Sequence, residues 1–112
     1  MNQSDIDQIS WFHAIELEPG GLVTPGRFRK NIPPNYTLFP VFKFLEQIEL
    51  SERNCLDIGT ADGIVAFIMR MRGGRVVATD RTIREGFLLV LEHLGLQDVR
   101  YLPKTTLDGG GP

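Results

Sequence analysis

Apolar positions in the second half of the chain alternate between strand-like runs and helix-like spacing. Cys55-Leu56-Asp57-Ile58 forms a short strand pattern that enters Gly59-Thr60-Ala61-Asp62-Gly63. Residues 62–72 then carry Ile64, Phe67, Ile68 and Met71 at helical spacing, and Gly73-Gly74 stops that helix. Arg75 to Thr79 supplies a second apolar strand ending at Asp80. Residues 82–94 place Ile83, Phe87, Val90, Leu91 and Leu94 on one broad face, with Gly95 where a left-handed C-cap belongs and Leu96 positioned to fold back. Val99 to Leu102 reads as a third strand. Right-handed crossovers between these strands imply an α/β fold, a partial Rossmann-like parallel sheet of three strands in order 3-2-1 with helices, truncated before strand four.

The first half is less regular. Residues 4–12 suit a short helix, with Ser4 as N-cap, Asp7 three positions later, and Ile6 and Ile9 on nearby faces. WFHAIELEPGGLVTPG reads as an extended piece ended by Pro19, Gly20 and Gly21, followed by irregular chain through Pro25-Gly26 and Pro33-Pro34. A firmer helix spans 38–49, where Val41, Phe44, Leu45 and Ile48 recur on one face and Lys43, Glu46, Gln47 and Glu49 on the other, with Pro40 in the first turn. The tail TTLDGGGP has no periodicity and reads as loose. The chain therefore divides into a lead segment, 1–36, a sheet-bearing domain, 37–104, and a tail, 105–112.

Composition narrows the function classes. With 112 residues, 42% of them hydrophobic and 23% charged, the chain suits one globular domain with a modest core. A formal net charge of -2 gives no broad attraction for phosphate backbones. One cysteine, Cys55, closes no intrachain disulfide, and with His13 and His93 it makes a poor zinc set, so no metal site is expected. No apolar run approaches the roughly 20 residues that span a bilayer, and the N-terminus lacks a basic region followed by an apolar one. The expected compartment is the cytoplasm, without membrane attachment.

Candidate chemistry gathers at the glycine turn, because its glycines fall between a strand and a helix. Gly59 allows a tight turn and close approach of a ligand to the backbone, while Gly63 permits close helix-to-strand contact. The dinucleotide fingerprint wants glycine where Ala61 stands, and glycine or alanine where Ile64 stands; no Gly-Lys-Ser or Gly-Lys-Thr follows the turn. A pyrophosphate reader and nucleotide hydrolysis are thereby disfavoured. Asp80, 21 positions after Gly59 at a strand end, either accepts hydrogen bonds from ribose hydroxyls or caps the helix over 82–94. Asp57 either organises the turn or attracts a ligand ammonium group, and Asp62 is placed to cap the helix that starts near Gly63.

With LDIGTADG followed by RGGRVVATD, the chain resembles the class I S-adenosylmethionine-dependent methyltransferases. WFHAIEL with GGLVTPG is also similar to the lead segment of a branch related to tRNA wobble-uridine modifying methyltransferases, so the resemblance covers roughly residues 11–102. It implies that Gly59, Thr60, Ala61 and Gly63 wrap the methionine part of S-adenosyl-L-methionine, that Asp57 holds its polar end, and that Asp80 binds ribose. Arg81 occupies a position often used beside adenine, and Ala61 departs from the commoner second glycine. The implied reaction is transfer of the sulfonium methyl by in-line displacement to an unknown small-molecule or RNA acceptor, with His13 as a candidate base. Because the chain stops after the third expected strand, it reads as a methyltransferase domain fragment in which donor binding outlasts turnover. A noncatalytic adenosine-binding or interaction module and an NAD-binding fragment are the alternatives.

Other features have plainer readings. Arg70, Arg72 and Arg75 cluster near a helix end, where cations oppose the dipole, with RNA contact as the competing role. Trp11, Phe12 and Tyr36 suit packing, Met69 and Met71 core filling, Cys55 a buried strand position and His93 a helix surface. The edge of the first strand, lacking neighbours, predicts self-association or pairing with a missing half.

Overall fold

The computed structural model describes residues 2–27 and 33–104, which form two compact units, Met1–Gln47 and Ile48–Pro112. The tail over 105–112 and part of the irregular chain between Gly26 and Pro33 lie outside the described residues.

The first unit opens with helix α1, Gln3–Asp7. Its cap is Asn2 rather than Ser4: Asp5 N–H donates to Asn2 Oδ1 and Asn2 N–H donates to Asp5 Oδ2, both at 3.0 Å. The helix ends well before residue 12, and Trp11 instead buries its ring and donates Nε1–H to Ile6 O at 2.8 Å. The extended piece closes as a small hairpin, with Glu16 bridged antiparallel to Val23 and Gly21 N–H bonded to Glu18 O. A 3-10 turn, Tyr36–Leu38, leads into α2, Phe39–Glu46, with Pro40 in its first turn. Of the apolar stripe expected on α2, Leu45 is buried while Val41 and Phe44 are exposed.

The second unit runs β1 (Asn54–Ile58), α3 (Ile64–Met71), β2 (Arg75–Thr79), α4 (Glu85–His93) and β3 (Arg100–Leu102). Both strand pairings are parallel, aligning Asp57 with Ala78 and Ala78 with Tyr101. The order is sequential, β1-β2-β3, which is the expected 3-2-1 read from the opposite edge; the expectation corrected is the description of the sheet as half Rossmann, or Rossmann-like. Each crossover lays the next strand beyond its predecessor, and among the described residues the chain never returns past β1. Without that return there is no reversal of order, which is the feature that makes a sheet doubly wound and Rossmann-like.

Strand alternation sorts the sheet faces. Val76 and Ala78 are buried on one face, whereas Leu56 and Ile58 on the other are 60% and 52% exposed. Phe67 of α3 and Phe87 of α4 pack with ring centroids 5.0 Å apart, and Tyr101 of β3 stacks on Phe87 at 4.0 Å. Met69 is buried as expected, but Met71 is 62% exposed at the end of α3 and fills no core. Gly63 sits beneath this aromatic cluster at φ +92, where an added Cβ would lie 2.5 Å from Phe87 and 2.8 Å from Phe67.

Helix α4 starts three residues later than its apolar pattern suggests, and Ile83 is left exposed. Tyr101 accounts for the shift: its hydroxyl accepts from Arg84 N–H at 3.0 Å and donates to Thr82 O at 3.3 Å, keeping 82–84 out of the helix, with Arg84 extended. Burial pushes the Tyr101 phenol above its ordinary value, and the Asp80 charge adds to the effect. A phenol whose folded pKa is raised stabilises the fold below about pH 10, and that contribution fades as pH climbs through the raised value. Tyr101→Phe is therefore expected to lower the melting temperature by about 5 °C at neutral pH, for roughly 1 kcal/mol of hydrogen bonding. The gap between the two proteins should narrow above about pH 10; a constant gap across that range would remove the phenol from the account.

Candidate functional site

The C-terminal ends of β1 and β2 bring together the turn after β1 and the carboxylate after β2. Thr60 N–H bonds to Thr79 O at 2.9 Å, which pins the turn to the end of β2. Ala61 N–H then donates to Asp80 Oδ2 at 2.8 Å, and Thr82 N–H donates to Asp80 Oδ1 at 3.3 Å. One carboxylate thus ties the turn over 59–63 to the loop that precedes α4. Asp80 is buried, and it does not cap α4, whose N-cap is Arg84 without a side-chain bond.

Backbone geometry explains the residue types in the turn. Ala61 lies at φ 52, in the left-handed region where glycine has no steric cost and an alanine is strained. Gly59 adopts φ +70, and an added Cβ there would meet nothing within 4 Å. Its surface is open, and a bound molecule can approach the backbone. Asp57 is half-buried at the tip of β1, where its Oδ2 accepts from the Thr60 hydroxyl at 2.7 Å. Asp62 is buried immediately before Gly63, the N-cap of α3.

Of the other residues singled out, Arg81 is exposed directly after Asp80. His13 belongs to the first unit, where it lines a separate cavity. Cys55 is half-buried at the N-terminal end of β1, and His93 is half-buried in the last turn of α4. The arginines are held by their own unit: Arg70 pairs with Asp98 at 2.6 Å, Arg72 donates to Ile48 O, and Arg75 donates to Glu52 O. The Arg70 bond holds the Asp98 carboxyl below its usual range. Tyr101 is the site-supporting residue that sequence reasoning missed, since only its register beside Ala78 carries it to the Asp80 loop.

A larger cavity, about 670 Å³, opens at the opposite, N-terminal ends of the strands around Asn54, Arg75 and Arg100. It contains neither the turn nor Asp80, and size alone does not make it the site of chemistry. No family model, curated protein or solved structure matches the chain. The Rossmann-like description is corrected to an α/β unit with a small, sequentially ordered parallel sheet. No helix among the described residues is long and apolar enough to cross a membrane.

Proposed function

We propose that the crevice between the 59–63 turn and Asp80 binds S-adenosylmethionine, and that the chain contributes the donor-binding part of a methyl transfer. The reading is supported above all by the 2.8 Å bond from Ala61 N–H to Asp80 Oδ2, which sets a carboxylate against the glycine turn at one end of the sheet. A carboxylate offers about four lone-pair positions. Two backbone amides occupy part of that capacity, and the rest suits the paired hydroxyls of a ribose. The open surface of Gly59 accommodates the methionine part, and the negative charge of Asp57 at the tip of β1 suits its ammonium group. Arg81 supplies a planar cation for the adenine face.

In the proposed reaction the sulfonium methyl passes to an acceptor nucleophile, the donor leaves as a thioether, and the acceptor proton goes to solvent or a base. Holding donor and acceptor in register supplies most of the acceleration in such a displacement. The acceptor is a small molecule or an RNA, and pairing along the edge of β1 that has no strand partner among the described residues would complete the acceptor side. A cytoplasmic setting fits a chain with one cysteine.

Calorimetric titration of the intact chain with S-adenosylmethionine and, separately, with NAD tests the proposal. Saturable binding of the first without the second is the expected result. Gly59→Ala should weaken it about tenfold through strain of about 1 kcal/mol and intrusion into the crevice. Binding of NAD alone, or of neither compound, would overturn the reading.

A further inference from the structure

The first unit fixes one irregular stretch of backbone, Phe12 to Ala14, by means that no regular secondary structure supplies. The fully buried Thr24 hydroxyl accepts from Ile15 N–H and donates to His13 O, both at 2.7 Å. The Asn35 side chain pairs with both backbone groups of Ala14, accepting from its N–H at 2.9 Å and donating to its carbonyl at 2.8 Å. Gly26 passes so close that a Cβ would lie 2.7 Å from Ala14 N and 2.8 Å from the His13 carbonyl carbon. Asn35 itself is held at φ 63, a left-handed conformation that costs a non-glycine residue free energy. Packing alone does not call for ties to an irregular segment from three separate positions downstream; holding particular side chains in place does.

Those side chains line a cavity of about 200 Å³, with Phe12, His13, Arg27, Asn35, Tyr36 and Thr37 in its wall. The Arg27 guanidinium is centred over the Phe12 ring at 4.1 Å, a cation-π contact that orients the cation without consuming its N–H donors. No carboxylate among the described residues lines the cavity, so the guanidinium charge is not neutralised within its wall. His13, Tyr36 and Thr37 in the same wall carry imidazole, phenol and hydroxyl groups.

We infer that this cavity is a small-anion site, and that it takes the phosphate group of a phosphate monoester, with Arg27 as the principal charge and Phe12 as the platform that holds it. A tetrahedral dianion is small enough for the volume, and a guanidinium binds it through two parallel N–H bonds. The inference is independent of donor binding, since every residue it uses belongs to the first unit.

The experiment is a nuclear magnetic resonance titration of the isotope-labelled intact chain with inorganic phosphate, with uridine monophosphate and with a short 5′-phosphorylated RNA. Acetate serves as the carboxylate control. Saturable shifts of the His13 ring and Arg27 side-chain signals with phosphate are expected, and their size relative to the two nucleotide probes tells a free monoester from a polynucleotide end. Arg27→Gln should weaken phosphate binding about tenfold or more, and Arg27→Lys by less, because lysine keeps the charge and loses the planar fork. Arg27 is exposed, so both variants should melt with the parent protein. Shifts confined to other residues, equal response to acetate, or undiminished binding by a folded Arg27→Gln variant would each overturn the inference.

Discussion

Replacing Gly63 with alanine is expected to lower the melting temperature of the second unit by roughly 10–20 °C. Two costs act at once. A left-handed conformation charges a side-chain-bearing residue about 1–2 kcal/mol, and Gly63 sits at φ +92. The added methyl also collides with Phe87 at 2.5 Å and Phe67 at 2.8 Å, two rings that are themselves almost fully buried. Such overpacking typically costs about 1–3 kcal/mol. Because the ring of Phe87 is stacked on Tyr101, displacement spreads toward the loop that Tyr101 holds. Thermal unfolding followed through hydrogen exchange or backbone resonances of the second unit measures the loss, and a variant that melts with the parent would show that the aromatic cluster yields freely.

Asp80→Asn is expected to weaken S-adenosylmethionine binding about 10–100-fold, the usual effect of losing charged hydrogen bonds to a ligand. The substitution retains one carbonyl oxygen, which can still receive Ala61 N–H in place of Asp80 Oδ2. The new NH2 group, however, faces Thr82 N–H, where Asp80 Oδ1 now accepts, so the ribose-facing loop loosens while the sheet stays intact. Titration together with a melting curve separates the outcomes. A loss of affinity with a small change in melting supports ribose contact, a large drop in melting assigns Asp80 to structure, and unchanged affinity ends the ligand role.

The elements most legible in the sequence are those whose signals are local. Arg75–Thr79 matches its expected span, and β1 needs only Asn54 added, because a short apolar run with a glycine at one end, Gly59 after β1 and Gly74 before β2, leaves little choice of state. Helix ends were harder. The pattern over 82–94 contains α4, but Thr82 and Arg84 N–H groups bond to Asp80 and to Tyr101, a partner 17 residues away from Arg84, and no local rule anticipates that competition. The apolar stripe of α2 likewise identifies a helix without identifying what covers it, and Phe44 is 60% exposed. Strand order depends on whether the chain returns past its first strand, a property of connections rather than of strand sequence. At the candidate site, spacing placed Asp80 beside the turn, and the left-handed conformation of Ala61 shows why a glycine pattern is recognisable there with alanine in it.

The side chain of Asn35 stands in for a peptide group, offering Ala14 one donor and one acceptor. That substitution of side chain for main chain carries a chemical vulnerability. Hydrolytic loss of ammonia from this one amide would turn the donor opposite the Ala14 carbonyl into a second oxygen, so that attraction becomes repulsion between two acceptors. Ageing of the purified protein would then register at residue 35 as a mass gain of about one dalton coupled to release of the Phe12–Ala14 segment, with no bond of the backbone broken.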